Sequence, residues 1–459
     1  MHIFGRLRFY NFKLIFNFDR WIKRHFTNAG MVVLGGWVAA AVFSADTRQS
    51  MAYQLFALLI ALLIVAWLSS WLFRIHLKAQ RFLPRFATVG ESLTYQVRIY
   101  NHTQSWQRSL TLLEDVAQTP PNYQTFIHVR EPLHQWRNRF DKYVGYPRWV
   151  WLMVLSKGAE IKEQSIPALP PAKLPTVPSY LDITMEIMPL RRGYIHFDSL
   201  TFACPDPFGL FNALRTFPLS DKLLVLPKRY PVSPFKFVGS RKYQQGGINL
   251  AISVGDTQEF AALREYRPGD ALHHIHWKSF AKLGEPVVKE FQDEFFVRYA
   301  LILDTFTEQG YGQIFEAAVS VAASLASAPR SHETLLNLMF VGSTYYTFTS
   351  GRGVTQTDQL LEILACVQAC TDKPFEVLFP LVMQHAQALS GAMCVFLAWD
   401  EVREKLVQDL ENQGVPLLVL VLAPQAMATP TVRTQIHFLQ LDTLAQQLSQ
   451  LSVSNSFHR

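Results

Sequence analysis

FFVRYALILDTFTE, residues 295–308, decides the class of fold for the carboxyl-terminal half of the chain. Apart from Arg298, everything from Phe295 to Leu303 is apolar or aromatic. Such a run has no wet face, and it is short for a globular helix. It predicts a strand buried on both sides of a covered sheet. The run stops at Asp304. A helical pattern follows from Ile314 to Ala328, then the strand patterns TLLNLMFVG and STYYTFTS. Next come the helical TDQLLEILACVQAC and EVLFPLVMQHAQAL, the buried strand GAMCVFLAWD, the helical EVREKLVQDLENQG and the strand VPLLVLVLA. Strands alternating with helices imply a mostly parallel sheet with helices on both faces. In such sheets ligands bind beyond the carboxyl ends of the strands. Asp304 and Asp400 each stand at such an end.

Immediately upstream, REYRPGDALHHIHWKSFAK, residues 264–282, is dense in chemistry. RPGD reads as a turn, with Asp270 as the N-cap of a helix from Ala271 to about Lys282 and Gly284 at its end. PVVKEF then predicts an edge strand. His273 and His276 have a spacing open to a metal, yet no carboxylate or cysteine joins them at helical spacing on that face. Ser279 follows Lys278, and adjacent helical residues do not face each other, so a nucleophile–base pair is not formed locally. No Gly-rich phosphate loop occurs. The remaining reading is a rigid clasp between domains. Arg264, Glu265, Arg267 and Asp270 would satisfy one another there, and His276, Trp277 and Lys278 would offer a face for a partner.

Further upstream the period changes to two. ESLTYQVRIYN, LDITMEIMPL and RRGYIHFDSLTFACPDPFGLF alternate apolar and polar residues between Gly and Pro breaks, and KLLVLP closes the series. Short strands with turn residues between them suggest an antiparallel β-sandwich. Residues 118–180 read as an insertion around a strand WVWLMVL, and Trp136, Arg137 and Arg139 in it are candidates for the lipid surface.

Two apolar segments open the chain. HFTNAGMVVLGGWVAAAVFSA (25–45) and MAYQLFALLIALLIVAWLSSWLF (51–73) hold no Asp, Glu, Lys or Arg, and each is near the roughly 20 residues a bilayer crossing needs. Six basic residues precede them (Arg6, Arg8, Lys13, Arg20, Lys23, Arg24) against Asp19 alone, and four follow (Arg74, Lys78, Arg81, Arg85). The formal net charge of +7 is therefore concentrated in these two flanks, which argues against a nucleic-acid surface. The positive-inside rule puts both flanks in the cytoplasm. Four cysteines without a CxxC pair speak against a disulfide framework.

The expected architecture is thus mixed, all-β plus α/β. A basic cytoplasmic amino terminus (1–28) is followed by a transmembrane hairpin (29–73) and a sandwich with its insertion (76–230). A linker with the clasp (231–294) leads to an α/β domain (295–459).

RRGYIHFDSLTFACPDPFGLF and GDTQEFAALREYRPGDALHHIHWKSFAKLGEPVVKEF, taken with this domain order, resemble the bacterial proteins of domain-of-unknown-function-58. The resemblance rests on Arg191, Arg192, Gly193, Asp206, Pro207, Phe208 and Gly209 in the first stretch, and on the clasp residues in the second. It implies two transmembrane helices, a sandwich and a Rossmann-like domain similar to von Willebrand factor type A. It implies residence in the bacterial inner membrane, with the soluble domains in the cytoplasm. Implied partners are a MoxR-type AAA+ ATPase and a membrane-bound transglutaminase-like protein, beside membrane lipid and without nucleic acid. Two arginines of the usual pattern are His273 and His274 here, and an aspartate is His276. The type A metal site pairs Asp-x-Ser-x-Ser with a later Thr and Asp. This chain has Asp304 but Phe306 and Glu308 in place of the serines, so a Mg²⁺ site would draw on Asp304, Glu308, Thr357 (or Thr355) and Asp400. The leading expectation is a non-catalytic membrane scaffold or adaptor. The alternative is a metal-dependent hydrolase using the strand-end carboxylates.

Overall fold

A computed structural model describes residues 2–43, 50–71, 73, 75–117, 121, 123, 126, 138, 146–171, 179–232, 259–270, 272, 275–292, 297–307, 312–328, 334–342, 344–350, 354–422 and 436–451. Trp136, Arg137, Arg139, His273, His274 and Glu308 lie outside these. The chain divides into two units, Met1–Leu226 and Pro227–Arg459.

The first unit begins with three helices. α1 (His2–His25) is amphipathic, and it buries Phe12 and Phe16 against Phe126 and Leu152. The amino terminus is therefore more than the basic tail expected of it. Helix α2 (Asn28–Phe43) packs on α3 (Ser50–Ser70), with Trp37 stacked on Phe56 at 5.9 Å. Within α3, Met51–Ser70 is long and apolar enough to cross a bilayer. Helix α2, at 16 residues, spans about 24 Å at 1.5 Å per residue, less than a hydrocarbon core of about 30 Å.

The sandwich is present. One sheet has the order β1 (Leu77–Phe82), β3 (Leu93–Asn101), β7 (Ser179–Pro189), β5 (Ala159–Ile161). The other runs β2 (Phe86–Thr88), β9 (Asn212–Leu226), β8 (Gly193–Pro205), β4 (Leu110–Val116), β6 (Gln164–Ile166). Alternate residues such as Tyr95, Val97 and Ile99 from one sheet meet Leu112, Phe197 and Phe202 from the other in a single core. Gly193 adopts φ 102, a left-handed conformation that lets the chain turn from β7 in one sheet into β8 in the other.

The expected strand WVWLMVL is instead part of helix α4 (Tyr146–Ser156). Continuous apolar runs do not distinguish strand from helix by periodicity. Here the helical form lets Leu152 reach the α1 aromatics while Trp149, Trp151 and Met153 flank it.

In the second unit, β10 (Glu259–Glu265) pairs antiparallel with β11 (Val287–Gln292) in a sheet of two strands. PVVKEF thus finds its partner in β10 and adds nothing to the main sheet. Between the two strands, helix α5 covers only Trp277–Leu283 and ends at Gly284, whose φ is 77. It starts six residues later than expected, so Asp270 does not cap it.

The six-stranded sheet has the order β14 (Tyr345–Ser350), β13 (Thr334–Val341), β12 (Val297–Leu303), β15 (Gly391–Phe396), β16 (Leu417–Val421), β17 (Ile436–Phe438). All neighbours are parallel except the β13–β14 hairpin. Helices α6 (Gln313–Ser327), α7 (Val354–Cys366), α8 (Leu378–Ala386), α9 (Glu401–Asn412) and α10 (Leu444–Ser449) alternate with the strands. The strand order reverses between β12 and β15, the topological switch point where open α/β sheets bind ligands.

Candidate functional site

Asp304 leaves β12 at this switch point, where its backbone N–H donates to the Val395 carbonyl at 2.9 Å. Its side chain is fully buried. One carboxylate oxygen accepts from the Phe306 N–H at 3.0 Å. The other accepts from the Leu397 N–H at 3.1 Å and from Arg403 Nε at 2.8 Å. Among the described residues this carboxylate meets three donors, which fit the ionised form. Burial pushes the carboxyl pKa up, against the pull of the Arg403 charge.

Arg403 comes from the first turn of α9. Asp400 is the N-cap of that helix and accepts the Arg403 N–H at 2.9 Å, while the guanidinium Nη1 donates to the same carboxylate. The guanidinium lies 4.6 Å from the centre of the Phe375 ring. Arg403 therefore sits between a buried carboxylate and one that is 45% exposed, covered on a face by an aromatic ring. Beside it the Thr305 hydroxyl donates to the Val341 carbonyl. Burial raises the Cys394 thiol to about 12, which suits packing and not nucleophilic attack.

These contacts do not fit a divalent cation. Mg²⁺ needs oxygen ligands in near-octahedral array, and the Asp304 oxygens are already taken by a guanidinium and two amides. Asp400 is engaged as a cap, and Thr357 lies on α7. Among the described residues no hydrogen bond joins Thr357 to either aspartate, and no group of three or more His, Cys, Asp or Glu is placed to hold a metal. Sequence reasoning found both aspartates and missed Arg403. Its signal was the spacing of Asp400 and Arg403 at i, i+3 at the start of a helix.

The clasp segment forms a small module around the β10–β11 hairpin. Arg264 grips Asp270 with two parallel bonds of 2.7 Å, and Asp270 also accepts the Arg267 N–H at 2.8 Å. Together these hold the Asp270 carboxyl at about 2. Glu265 enters through its carbonyl, which accepts from Arg264 Nη1 at 3.1 Å. Ile275 bridges to Val288, and the His276 N–H donates to the Val287 carbonyl at 2.8 Å. The ring Nδ1 of His276 pairs with the Ser279 hydroxyl at 2.7 Å. On this base Trp277 is 62% exposed and meets Phe280 edge-to-face at 6.0 Å, and Leu272 and Lys278 are also exposed.

The PDPFG turn of the first unit has a separate task. Asp206 accepts the N–H groups of Phe208, Leu210 and Phe211 at 3.1, 2.6 and 2.8 Å. Gly209, at φ 68, completes the turn. The turn presents the Leu210 carbonyl to the Thr27 N–H at 3.1 Å, and Leu210 and Phe211 pack with Ala66, Phe26, Val33 and Leu62. Gly30 is obligatory there, because a Cβ would lie 2.0 Å from the Leu210 oxygen. The motif is the socket that roots α2 and α3 in the sandwich.

Residues 262–377 match the family described as "Protein of unknown function DUF58". The span takes in most of the clasp module and the sheet from β12 to β14. The uncharacterized protein YeaD of Bacillus subtilis (strain 168) is 25% identical over 187 residues, which cover 40% of this chain and 45% of that protein. A solved GH20 exo-β-N-acetylglucosaminidase of Vibrio harveyi aligns over 76% of this chain and 57% of its own, at 7% identity and a TM-score of 0.12.

Proposed function

We propose, starting from the DUF58 match over residues 262–377, that this chain is a membrane-anchored scaffold whose second unit docks a protein partner. The observation that carries the reading is the exposed Trp277–Phe280 pair within the matched segment. Large aromatics are poor in free solvent and are enriched at the energetic centres of interfaces. The module beneath them is stiffened by the Arg264–Asp270 fork and the backbone bridges to β11. The partner implied by the resemblance is a MoxR-type AAA+ ATPase, with a membrane-bound transglutaminase-like protein as a further associate.

In this proposal α2 and α3 form a two-pass anchor in the inner membrane, with the amino terminus and both soluble units in the cytoplasm. Arg6, Arg8, Lys13, Lys23, Lys78 and Arg85 support that orientation. The strand order of the second unit, with its antiparallel edge strand β14, supports the type A-like description. Because the strand-end aspartates are held by Arg403, docking at this sheet would run without a bridging cation.

Crosslinked capture from native membranes tests the proposal. Wild type and Asp304→Asn should both recover an AAA+ ATPase, and Trp277→Ala should lose it. Equal recovery by Trp277→Ala would move the interface away from the module. Recovery of no stable partner by wild type would sink the scaffold reading.

A further inference from the structure

A cleft of about 970 Å³ opens within the first unit between α1, α4 and the β4–β5 side of the sandwich. This is the upper range of cavities that hold small ligands. Its walls differ in character. Ile15 and Phe16 of α1 face Trp149, Val150, Met153 and Val154 of α4 across an apolar slot. Val150 and Val154 are exposed on that stripe, with Tyr146 at one end of it and Lys157 at the other.

The floor and rim are charged. Most of those charges are already matched within the fold. Glu114 is held by Arg81, Asp115 by Arg24, Asp19 by Lys23 and Glu186 by Lys162, each at 2.7 Å. Four lining charges have no ion-pair partner among the described residues: Arg20, Lys157, Glu160 and Glu163. Two are cationic and two anionic, beside an apolar slot.

The cleft also has a fixed position along the chain. Helix α1, which supplies one wall, leads within three residues into α2, and Thr27 at that junction is bonded to the turn that roots α2 and α3. The outward face of α1 carries Tyr10, Leu14, Phe18 and Trp21, all exposed, with Phe18 stacked on Trp21 at 6.3 Å. A helix with basic residues and such a face suits a lipid interface. An apolar slot at that level is within reach of an acyl chain.

We propose that this cleft binds one glycerophospholipid with a zwitterionic phosphate–ammonium head. The acyl chain occupies the slot between α1 and α4. Arg20 and Lys157 take the phosphate, and Glu160 and Glu163 take the primary ammonium. The site is separate from the docking module, and its test does not depend on any partner protein.

The experiment uses the full chain in mild detergent, loaded with dioleoyl phosphatidylethanolamine, phosphatidylglycerol or phosphatidylcholine of equal chain length, with bound lipid counted by native mass spectrometry. Phosphatidylethanolamine should be retained at one per chain and at least tenfold more tightly than either of the others. Val150→Trp, which fills the slot from an exposed position, should abolish that retained molecule. Arg20→Gln with Lys157→Gln should weaken it about tenfold while leaving the circular dichroism spectrum unchanged. Retention undiminished by both variants would show lipid held by the transmembrane helices and would overturn the proposal. So would equal retention of all three lipids, or equal binding of free glycerophosphoethanolamine, since neither needs both the slot and the paired charges.

Discussion

Each unit of the molecule contains an arginine buried against a carboxylate, and the two centres solve different problems. In the sandwich, Arg81 of β1 reaches across to the opposite sheet. It grips Glu114 of β4 through two bonds of 3.1 and 2.7 Å, and its Nη1 donates to Asp221 of β9 at 2.6 Å. Arg81 and Glu114 side chains are 0% exposed, and the guanidinium lies 4.5 Å from the Phe197 ring centre. In the second unit, Arg403 holds Asp304 at the end of a strand and continues outward to the exposed Asp400. The first centre joins the two sheets through a fully buried Arg81–Glu114 pair, with Asp221 38% exposed at its edge. The second stands at the end of a strand, at the switch point, and likewise keeps one end at the surface. The two pairs differ in what the topology makes of them: one ties two sheets together, the other links a strand end to the start of a helix.

Removing one partner of each pair breaks this comparison most sharply. Arg81→Ala leaves Glu114 buried and uncompensated, so the sandwich should lose about 3–5 kcal/mol. Urea denaturation read with hydrogen exchange at the β3 and β8 amides would measure it. A loss below about 1 kcal/mol would show that water reaches the site and that the pair is not sealed.

Arg403→Ala should cost less, about 1–3 kcal/mol, because two backbone amides still hold Asp304 and the rim admits water. Exchange at Ile302 and Cys394 reports it locally. The double variant Asp304→Asn with Arg403→Met should recover most of the loss. Failure to recover would mean that the guanidinium acts chiefly through its stacking on Phe375.

Magnesium sharpens the contrast further. Saturating Mg²⁺ should leave exchange at the β12 and β15 ends of the wild-type chain unchanged, since Arg403 already neutralises Asp304. Protection appearing on Mg²⁺ addition would return the strand-end carboxylates to the metal reading.

The smallest effect belongs to the surface pair Arg264–Asp270. The fork depresses the Asp270 carboxyl to about 2 from an ordinary 3.8. A depressed carboxyl contributes stability above its unfolded pKa and loses it as the pH falls through the folded one. The fork should therefore hold above about pH 4 and open toward pH 2, visible as the Asp270 carboxyl shift by NMR. Titration near 3.8 would show the pair unformed in solution.

Much of this fold was legible in the sequence. Period-two alternation announced the sandwich, and the apolar run ending at Asp304 announced the covered sheet. WVWLMVL misled because an apolar run bounded by turns suits strand and helix alike, and only the aromatic cluster on α1 selects the helix. The clasp helix was overextended because Asp270 looked like a cap. Its carboxylate instead finds stronger partners in Arg264 and the Arg267 amide.

Arg24 and Arg81 read from sequence as part of the membrane-flanking charge. In the fold, Arg24 anchors the end of α1 to Asp115 and Thr201, and Arg81 is buried between the sheets. By itself the sequence determined which segments are apolar, with what period, and which acidic residues end the strands. Those properties are local. Tertiary structure alone decided that Arg403 meets Asp304, 99 residues away, and that Arg81 meets Glu114 and Asp221. A charge buried in low dielectric must find its opposite, and which one it meets depends on how the strands and helices are brought together.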